Sequence, residues 1–164
     1  MKKIGIVMGS DSDLPIVQKA IDVLTAFEVP FEVHVYSAHR TPAEAKEFSA
    51  SARENDFGAI IAVAGMAAHL AGAVAANTTL PVIGIPVGSK NFGGMDALLS
   101  TVQMPSGIPV ATVAVDGGAN AALLAIQILA VTDSDLAAKL DAKRSADADT
   151  VLAKSRAVEE KFNK

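Results

Sequence analysis

The sequence predicts an α/β fold: a three-layer open sheet, mainly parallel, followed by a C-terminal helical extension. Three observations carry this expectation. Apolar runs recur at residues 4–8, 31–35, 59–64, 82–86 and 110–115. Each is followed by a loop containing Gly or Ser and then by a helical pattern, and strands that alternate with helices imply a parallel sheet covered on both faces. No internal repeat or low-complexity linker interrupts the series, and 164 residues fit one domain, spanning 1–164.

The elements follow in order. The run Ile4-Gly5-Ile6-Val7-Met8 enters the loop Gly9-Ser10-Asp11-Ser12-Asp13. In the helix after it, Val17, Ala20, Ile21 and Leu24 keep i, i+3, i+4, i+7 spacing, with Ser12 or Asp13 as cap and Pro15 in the first turn. The second run leads to Ser37-Ala38-His39-Arg40-Thr41-Pro42, where Thr41, Pro42 and Glu44 read as N-cap, first helical residue and the acid of a capping box. The third run leads to Gly65-Met66-Ala67-Ala68-His69-Leu70-Ala71-Gly72, and the fourth to a Gly-rich stretch beginning Gly88-Ser89-Lys90. Residues 134–164 read as a helical tail with two weakly amphipathic stretches, 136–143 and 151–162. Packing on its own domain and reaching over a neighbouring subunit are equally open roles for it.

Composition removes several classes of function. The formal charge is −4, with 14 Lys and Arg against 18 Asp and Glu, and no basic cluster interleaves with aromatics, so nucleic-acid binding is not expected. Cysteine is absent, which excludes disulfides, thiolate catalysis and cysteine metal sites. The first apolar run is too short and too soon broken by Gly9 for a signal peptide or membrane span, and a cytoplasmic protein with no membrane partner is expected. A hydrophobic fraction of 51%, rich in alanine, exceeds what a chain of this size readily buries alone and points to a homo-oligomer. The Gly-rich stretch lacks the Lys-Ser/Thr of a Walker A loop, and no G-x-G-x-x-G run follows the first strand. Three dispersed histidines without an H-x-x-x-H pair give no catalytic zinc site, so neither metal nor cofactor is expected.

What remains is an anion site beside a proton carrier. In open α/β sheets ligands bind at the carboxyl ends of the strands where strand order reverses, commonly between the first and third, which selects the loops 9–13 and 65–69. Ser10, Ser12 and Arg40 suit a phosphate, the guanidinium through two parallel hydrogen bonds. The helix after Gly9 offers free N–H groups to an anion, although Ser12 or Asp13 acting only as a cap accounts equally for the local pattern. Histidine, whose unperturbed pKa is about 6.5, is the residue type suited to two-way proton transfer, which makes His39 the candidate catalytic residue. A surface pair would look the same locally. Gly65, Ala67 and their small neighbours let a ligand approach the main chain, or serve close packing, and His69 suits either a substrate carboxylate or a helix cap. His34, alternating with Val33 and Val35, reads as structural.

Taken together, the chain resembles the small class I PurE enzymes, the N5-carboxyaminoimidazole ribonucleotide mutases of purine biosynthesis. The resemblance rests on Val7-Met8-Gly9-Ser10 with Ser12-Asp13, Ser37-Ala38-His39-Arg40-Thr41-Pro42, Ala67-Ala68-His69-Leu70, and Val102-Gln103-Met104-Pro105 with Gly107-Ile108-Pro109-Val110. Ala119-Asn120-Ala121-Ala122-Leu123-Leu124-Ala125 adds to it. It implies a flavodoxin-like fold, a ribonucleotide substrate and a homo-octamer. It also implies a phosphate held by Ser10, Ser12 and Arg40, ribose hydroxyls on Asp13, a proton moved by His39, and a carboxylate or carbon dioxide pocket lined by His69 and the loop from Gly65. Ser37, Ala38, Met66, Ala67 and Leu70 complete the expected binding set. The family's usual Gly-Gly-Ala-Ala-His-Leu-Pro-Gly stands here with Met66 and Ala71 in place of Gly and Pro, and Asp11 takes a position that is often basic, so it is expected to face solvent. A class II enzyme that carboxylates aminoimidazole ribonucleotide with carbon dioxide directly, and a non-catalytic flavodoxin-like nucleotide-binding module, are the alternatives.

Overall fold

The structure, a computed structural model, describes residues 1–163. Five parallel strands, β1 (Lys3–Met8), β2 (Phe31–Val35), β3 (Phe57–Gly65), β4 (Val82–Val87) and β5 (Ala111–Thr112), lie in the order β2-β1-β3-β4-β5. The helices are α1 (Leu14–Ala26), α2 (Pro42–Ser51), α3 (Leu70–Ala75), α4 (Met95–Val102), α5 (Gly118–Ala130) and α6 (Ser134–Phe162). This is the doubly wound flavodoxin-like order, and its switch point lies between β1 and β3.

Why the runs became strands is visible in their two faces. Successive side chains on a strand point to opposite sides. Ile4, Ile6 and Met8 of β1, with Ala59, Ile61 and Val63 of β3, are buried under α1 and α5 against Val17, Ala20, Leu24, Ala121, Ala122 and Ala125. Val7, Ile60 and Ala62 face the other way and are buried with Ala45 of α2 and Leu70, Ala71 and Val74 of α3. A strand apolar on both faces needs helices on both, which fixes the three layers. The alanines of α5 earn their place through proximity: a Cβ on Gly118 would lie 2.2 Å from the Ile16 carbonyl oxygen, so α1 and α5 approach to backbone distance.

Four details differ from the sequence expectation. The last strand is two residues long rather than 110–115. Pairing to β4 continues through Val113 N–H to the Gly84 oxygen at 3.1 Å, but the chain then turns at Asp116, whose φ is 58°. The tail forms one 29-residue helix instead of two stretches. Alanines and the Lys143–Asp147 i, i+4 pair carry the helix across the polar centre. Only its first turns dock, through buried Leu136, half-buried Leu140 and Lys139, which reaches Glu28 just beyond the end of α1.

The helix caps differ too. Thr41 stands at the N-cap of α2, but its hydroxyl accepts from Ser37 N–H at 2.8 Å, so no capping box forms with Glu44. Before α1, the hydroxyl that accepts a loop N–H is that of Ser10, bonded to Ser12 N–H at 3.3 Å, and Asp13 makes no side-chain cap. In both loops a nearby main-chain turn competes for the hydroxyl and wins.

Candidate active site

The register Met8↔Val35 and Met8↔Val63 brings the ends of β1, β2 and β3 level, so the loops that follow them converge. They enclose a cavity of about 680 Å³ at the carboxyl edge. Ser10, Ser12, Asp13, Ser37, Ala38, His39, Arg40, Gly65, Met66, Ala67, His69 and Leu70, the whole set singled out from sequence, line it.

One wall is a web of hydrogen bonds. Ser12 Oγ donates to Ser10 Oγ at 2.9 Å, and Ser10 Oγ in turn lies 3.3 Å from Asp11 Oδ1. Asp11 is exposed, yet its carboxylate touches the serine that the resemblance assigns to phosphate. Ser37 Oγ accepts from the N–H groups of His39 and Arg40 at 3.3 and 3.2 Å, folding the second loop into a tight turn. Arg40 Nη2 donates to the Gly9 oxygen at 2.8 Å and so ties the two loops together. Among the described residues no carboxylate pairs with Arg40, which leaves its charge uncompensated within the chain.

Asp13 sits at the floor, 7% exposed. Burial pushes its carboxyl above the usual range and the nearby Asp11 charge adds to this, against a smaller opposing effect of the Ser10 main chain. An anion kept short of water is poised to accept hydrogen bonds from a ligand that restores them.

His39 Nε2 lies 2.7 Å from His69 Nδ1, with the rings edge to face at 88°. One ring must donate and the other accept, so the contact accommodates one proton between them; charging both rings would set like charges in contact. Both side chains are exposed to the cavity. This pairing, between residues 30 positions apart, was not visible in the sequence. His34, read as structural, stacks on Tyr36 with centroids 5.1 Å apart outside the cavity.

The opposite wall is lean. Gly65 and Met66 turn off β3, Met66 in the left-handed region at φ 56°. Val87, Gly88 and Ser89, not among the sequence candidates, complete the wall from β4. Behind them Asp116 Oδ1 accepts from Gly88 N–H at 2.9 Å. The available signals were the Gly-Ser loop after an apolar run and the turn-forming Asp116-Gly117 pair, both at the carboxyl edge. A second cavity, of about 1070 Å³, lies at the amino edge and is lined by Arg53, Thr78, Leu80 and the Gly107-Ile108-Pro109 segment. It gathers no comparable set of titratable groups. Among the described residues no cluster of three His, Asp or Glu side chains is placed to hold a metal ion, and no helix is long and apolar enough to cross a membrane.

A flavodoxin-like α/β protein with a polar ligand cavity at its switch point is the class that fold and site define. Comparison with known proteins narrows this. The AIR carboxylase family model matches residues 3–150. The N5-carboxyaminoimidazole ribonucleotide mutase of Pyrococcus abyssi is 55% identical over 140 residues, which cover 85% of this chain and 80% of that protein. The Bacillus subtilis protein of the same name is 54% identical, covering 93% of this chain and 95% of its own. The crystal structure of Treponema denticola PurE superposes with a TM-score of 0.85 at 27% identity, covering 98% of each chain. The chain belongs to the AIR carboxylase family.

Proposed function

We propose that this chain is an N5-carboxyaminoimidazole ribonucleotide mutase, moving a carboxylate from the exocyclic nitrogen of the substrate to C4 of its imidazole in purine biosynthesis. The observation that carries the reading is the His39–His69 contact at 2.7 Å inside a cavity that also presents the uncompensated Arg40. A proton carrier beside an anion site is what the reaction needs. The relatives named as this mutase, at 54–55% identity, support the same substrate.

In this reading Arg40, Ser10 and Ser12 hold the ribotide phosphate, Asp13 takes the ribose hydroxyls, and Ser37 and Ala38 fix the loop that aims His39. Gly65, Met66, Ala67, His69 and Leu70 surround the transferred group. Protonated His39 gives its proton to the carbamate nitrogen as the N–C bond breaks, releasing carbon dioxide beside the electron-rich ring. C4 attacks the carbon dioxide, and the now neutral His39 removes the C4 proton, restoring aromaticity. The proton that left His39 is replaced by the one it takes back, so one residue serves as acid and then base. His69, at hydrogen-bond distance, orients the ring that does this. The scheme calls on no cofactor.

His39→Asn keeps a hydrogen-bonding side chain of similar reach and removes the proton carrier. Its kcat on the N-carboxylated substrate should fall by about 10²–10⁴-fold with KM little changed. Full activity in the variant would sink the assignment.

Exposed apolar stripes support an assembly of copies. Met95, Leu99 and Val102 stand at i, i+4, i+7 on α4, and Val151, Leu152, Val158 and Phe162 on the undocked half of α6, all 46% exposed or more. We infer that residues 1–164, acting as one cytoplasmic domain, form a homo-octamer in which other copies cover these stripes. Sedimentation as a stable monomer would contradict it.

A further inference from the structure

We propose that Ser89, on the loop after β4, is a specificity-determining residue of the same site: its hydroxyl donates a hydrogen bond to the transferred carboxylate, and Asp116 is the positioning residue that holds the loop. This rests on the mutase reading above. Strand order gives the placement. β1 and β4 stand two strand spacings apart, roughly 10 Å, with β3 between them. That is of the order of the reach from a ribotide's phosphate to the far side of its base. With the phosphate at Ser10, Ser12 and Arg40, the ring and the group it carries come to the loops after β3 and β4. Among the described residues, Ser89 supplies the only side-chain hydroxyl on that side of the cavity.

The hydroxyl is open to a ligand. Ser12 directs its proton to Ser10, and Ser10 directs its own to Asp11. Ser89 Oγ accepts from Phe92 N–H at a long 3.5 Å, and among the described residues its own proton has no acceptor. A hydroxyl proton directed at a carboxylate makes a short, strong bond.

The turn before α5 clamps the Ser89 loop at both ends. Asp116 N–H donates to the Pro86 oxygen at 2.9 Å and Asp116 Oδ1 accepts from Gly88 N–H at 2.9 Å, so the two bonds bracket Val87. At the far end a Cβ on Gly94 would lie 2.7 Å from Val115 Cγ1, so the chain returns in close contact with the residue before Asp116. Asp116 makes its bonds at φ 58°, a conformation that costs a non-glycine residue, and strain kept behind a cavity wall is a pointer to a role in shaping that wall.

The chemistry gives the bond its consequence. Substrate and product carry the carboxylate on the exocyclic nitrogen at C5 and on the neighbouring C4, so one hydroxyl can serve both. Aminoimidazole ribonucleotide has no such group. Ser89 therefore favours the carboxylated ligands over the bare ring and takes no part in the proton steps at His39.

Calorimetric titration tests this in protein carrying His39→Asn, where turnover is stopped. The C4-carboxylated product and aminoimidazole ribonucleotide are titrated separately, and the ratio of their Kd values is the readout, which a general loss of stability does not move. Adding Ser89→Ala should weaken the carboxylated ligand roughly tenfold and leave aminoimidazole ribonucleotide within about twofold. Ser89→Thr, which keeps the hydroxyl, should preserve the ratio. Asp116→Gly, which relieves the backbone but deletes the acceptor, should shift the ratio the same way by less, and Asp116→Asn, which keeps an acceptor oxygen, should preserve it. Loss of neither affinity in Ser89→Ala, or equal loss of both, would overturn the proposal, and an unchanged ratio in Asp116→Gly would overturn the positioning role. Failure of the carboxylated ligand to bind with Ser89 in place would instead overturn the mutase reading, and the role of Ser89 with it.

Discussion

On the wall of the cavity built after β1 and β2, Ser10, Ser12, Ser37 and Arg40 are bound to one another and to the main chain before any ligand arrives. On the wall built after β3 and β4, small residues leave main chain exposed, and two non-glycine residues, Met66 on the wall and Asp116 behind it, hold left-handed backbone at φ 56° and 58°. The first wall has paid its ordering cost in the folding of the chain, which is how a protein holds a charged group tightly. The second keeps its room by omitting side chains and stores strain where the reacting group would sit. The His39–His69 pair spans the two, one ring from each side.

Variants in each wall sharpen this contrast, beginning with the largest expected effect. Arg40→Ala removes the one uncompensated cation of the polar wall, and a charged hydrogen bond of this kind contributes about 1.5–3 kcal/mol. KM should rise roughly 10- to 150-fold with kcat altered far less, as steady-state kinetics would show. An equal loss in kcat would mean that the polar wall takes part in the chemical step and the contrast fails.

Asp116→Ala acts on the lean wall. It removes the acceptor of Gly88 N–H and leaves alanine, a poorer resident than aspartate, in left-handed backbone. Stability in urea should fall by about 1–2 kcal/mol. Asp116→Gly relieves the backbone while losing the same bond and should fall by less. If the two variants unfold at the same urea concentration, strain at this position is negligible.

Asp13→Asn should have the smallest effect on stability and the opposite sign. Because burial raises the Asp13 pKa in the folded chain, the native state binds the proton more tightly than the unfolded state. Stability is therefore greatest below the unfolded value of about 3.8 and declines as pH rises through the raised folded value, so at neutral pH the ionised carboxylate costs stability. The amide removes that cost. A gain of about 1 kcal/mol at pH 7 that shrinks on acidification is expected from thermal unfolding, alongside weaker substrate binding. A loss of stability at pH 7 would show that Asp13 is held by favourable contacts.

The sequence made the scaffold legible where burial on both faces writes a continuous apolar run, as in β1, β3 and β4. It misled at β5, where the paired ladder ends at Thr112 and only the isolated bonds from Val113 N–H to the Gly84 oxygen and Asp116 N–H to the Pro86 oxygen carry the chain on along β4 to the Asp116 turn. The caps differed from expectation because Ser10, rather than Ser12 or Asp13, takes the loop N–H before α1, and because the Thr41 hydroxyl, at the N-cap of α2, bonds back to Ser37; local spacing does not say which partner is chosen. All twelve site candidates meet in one cavity because loop positions at the carboxyl edge follow from strand order. The His39–His69 contact and the Gly88–Asp116 bond depend on strand register and on a turn 28 residues away, and no local pattern encodes either.

The central claim is that the two walls together move a carboxylate within one substrate. Product formation followed by ultraviolet absorbance tests it directly, offering N5-carboxyaminoimidazole ribonucleotide at low bicarbonate and, separately, aminoimidazole ribonucleotide at high bicarbonate. Rapid turnover of the first with little of the second is the expected result. Efficient turnover of the second alone would make the protein a direct carboxylase, and binding of both without turnover would leave it a nucleotide-binding module.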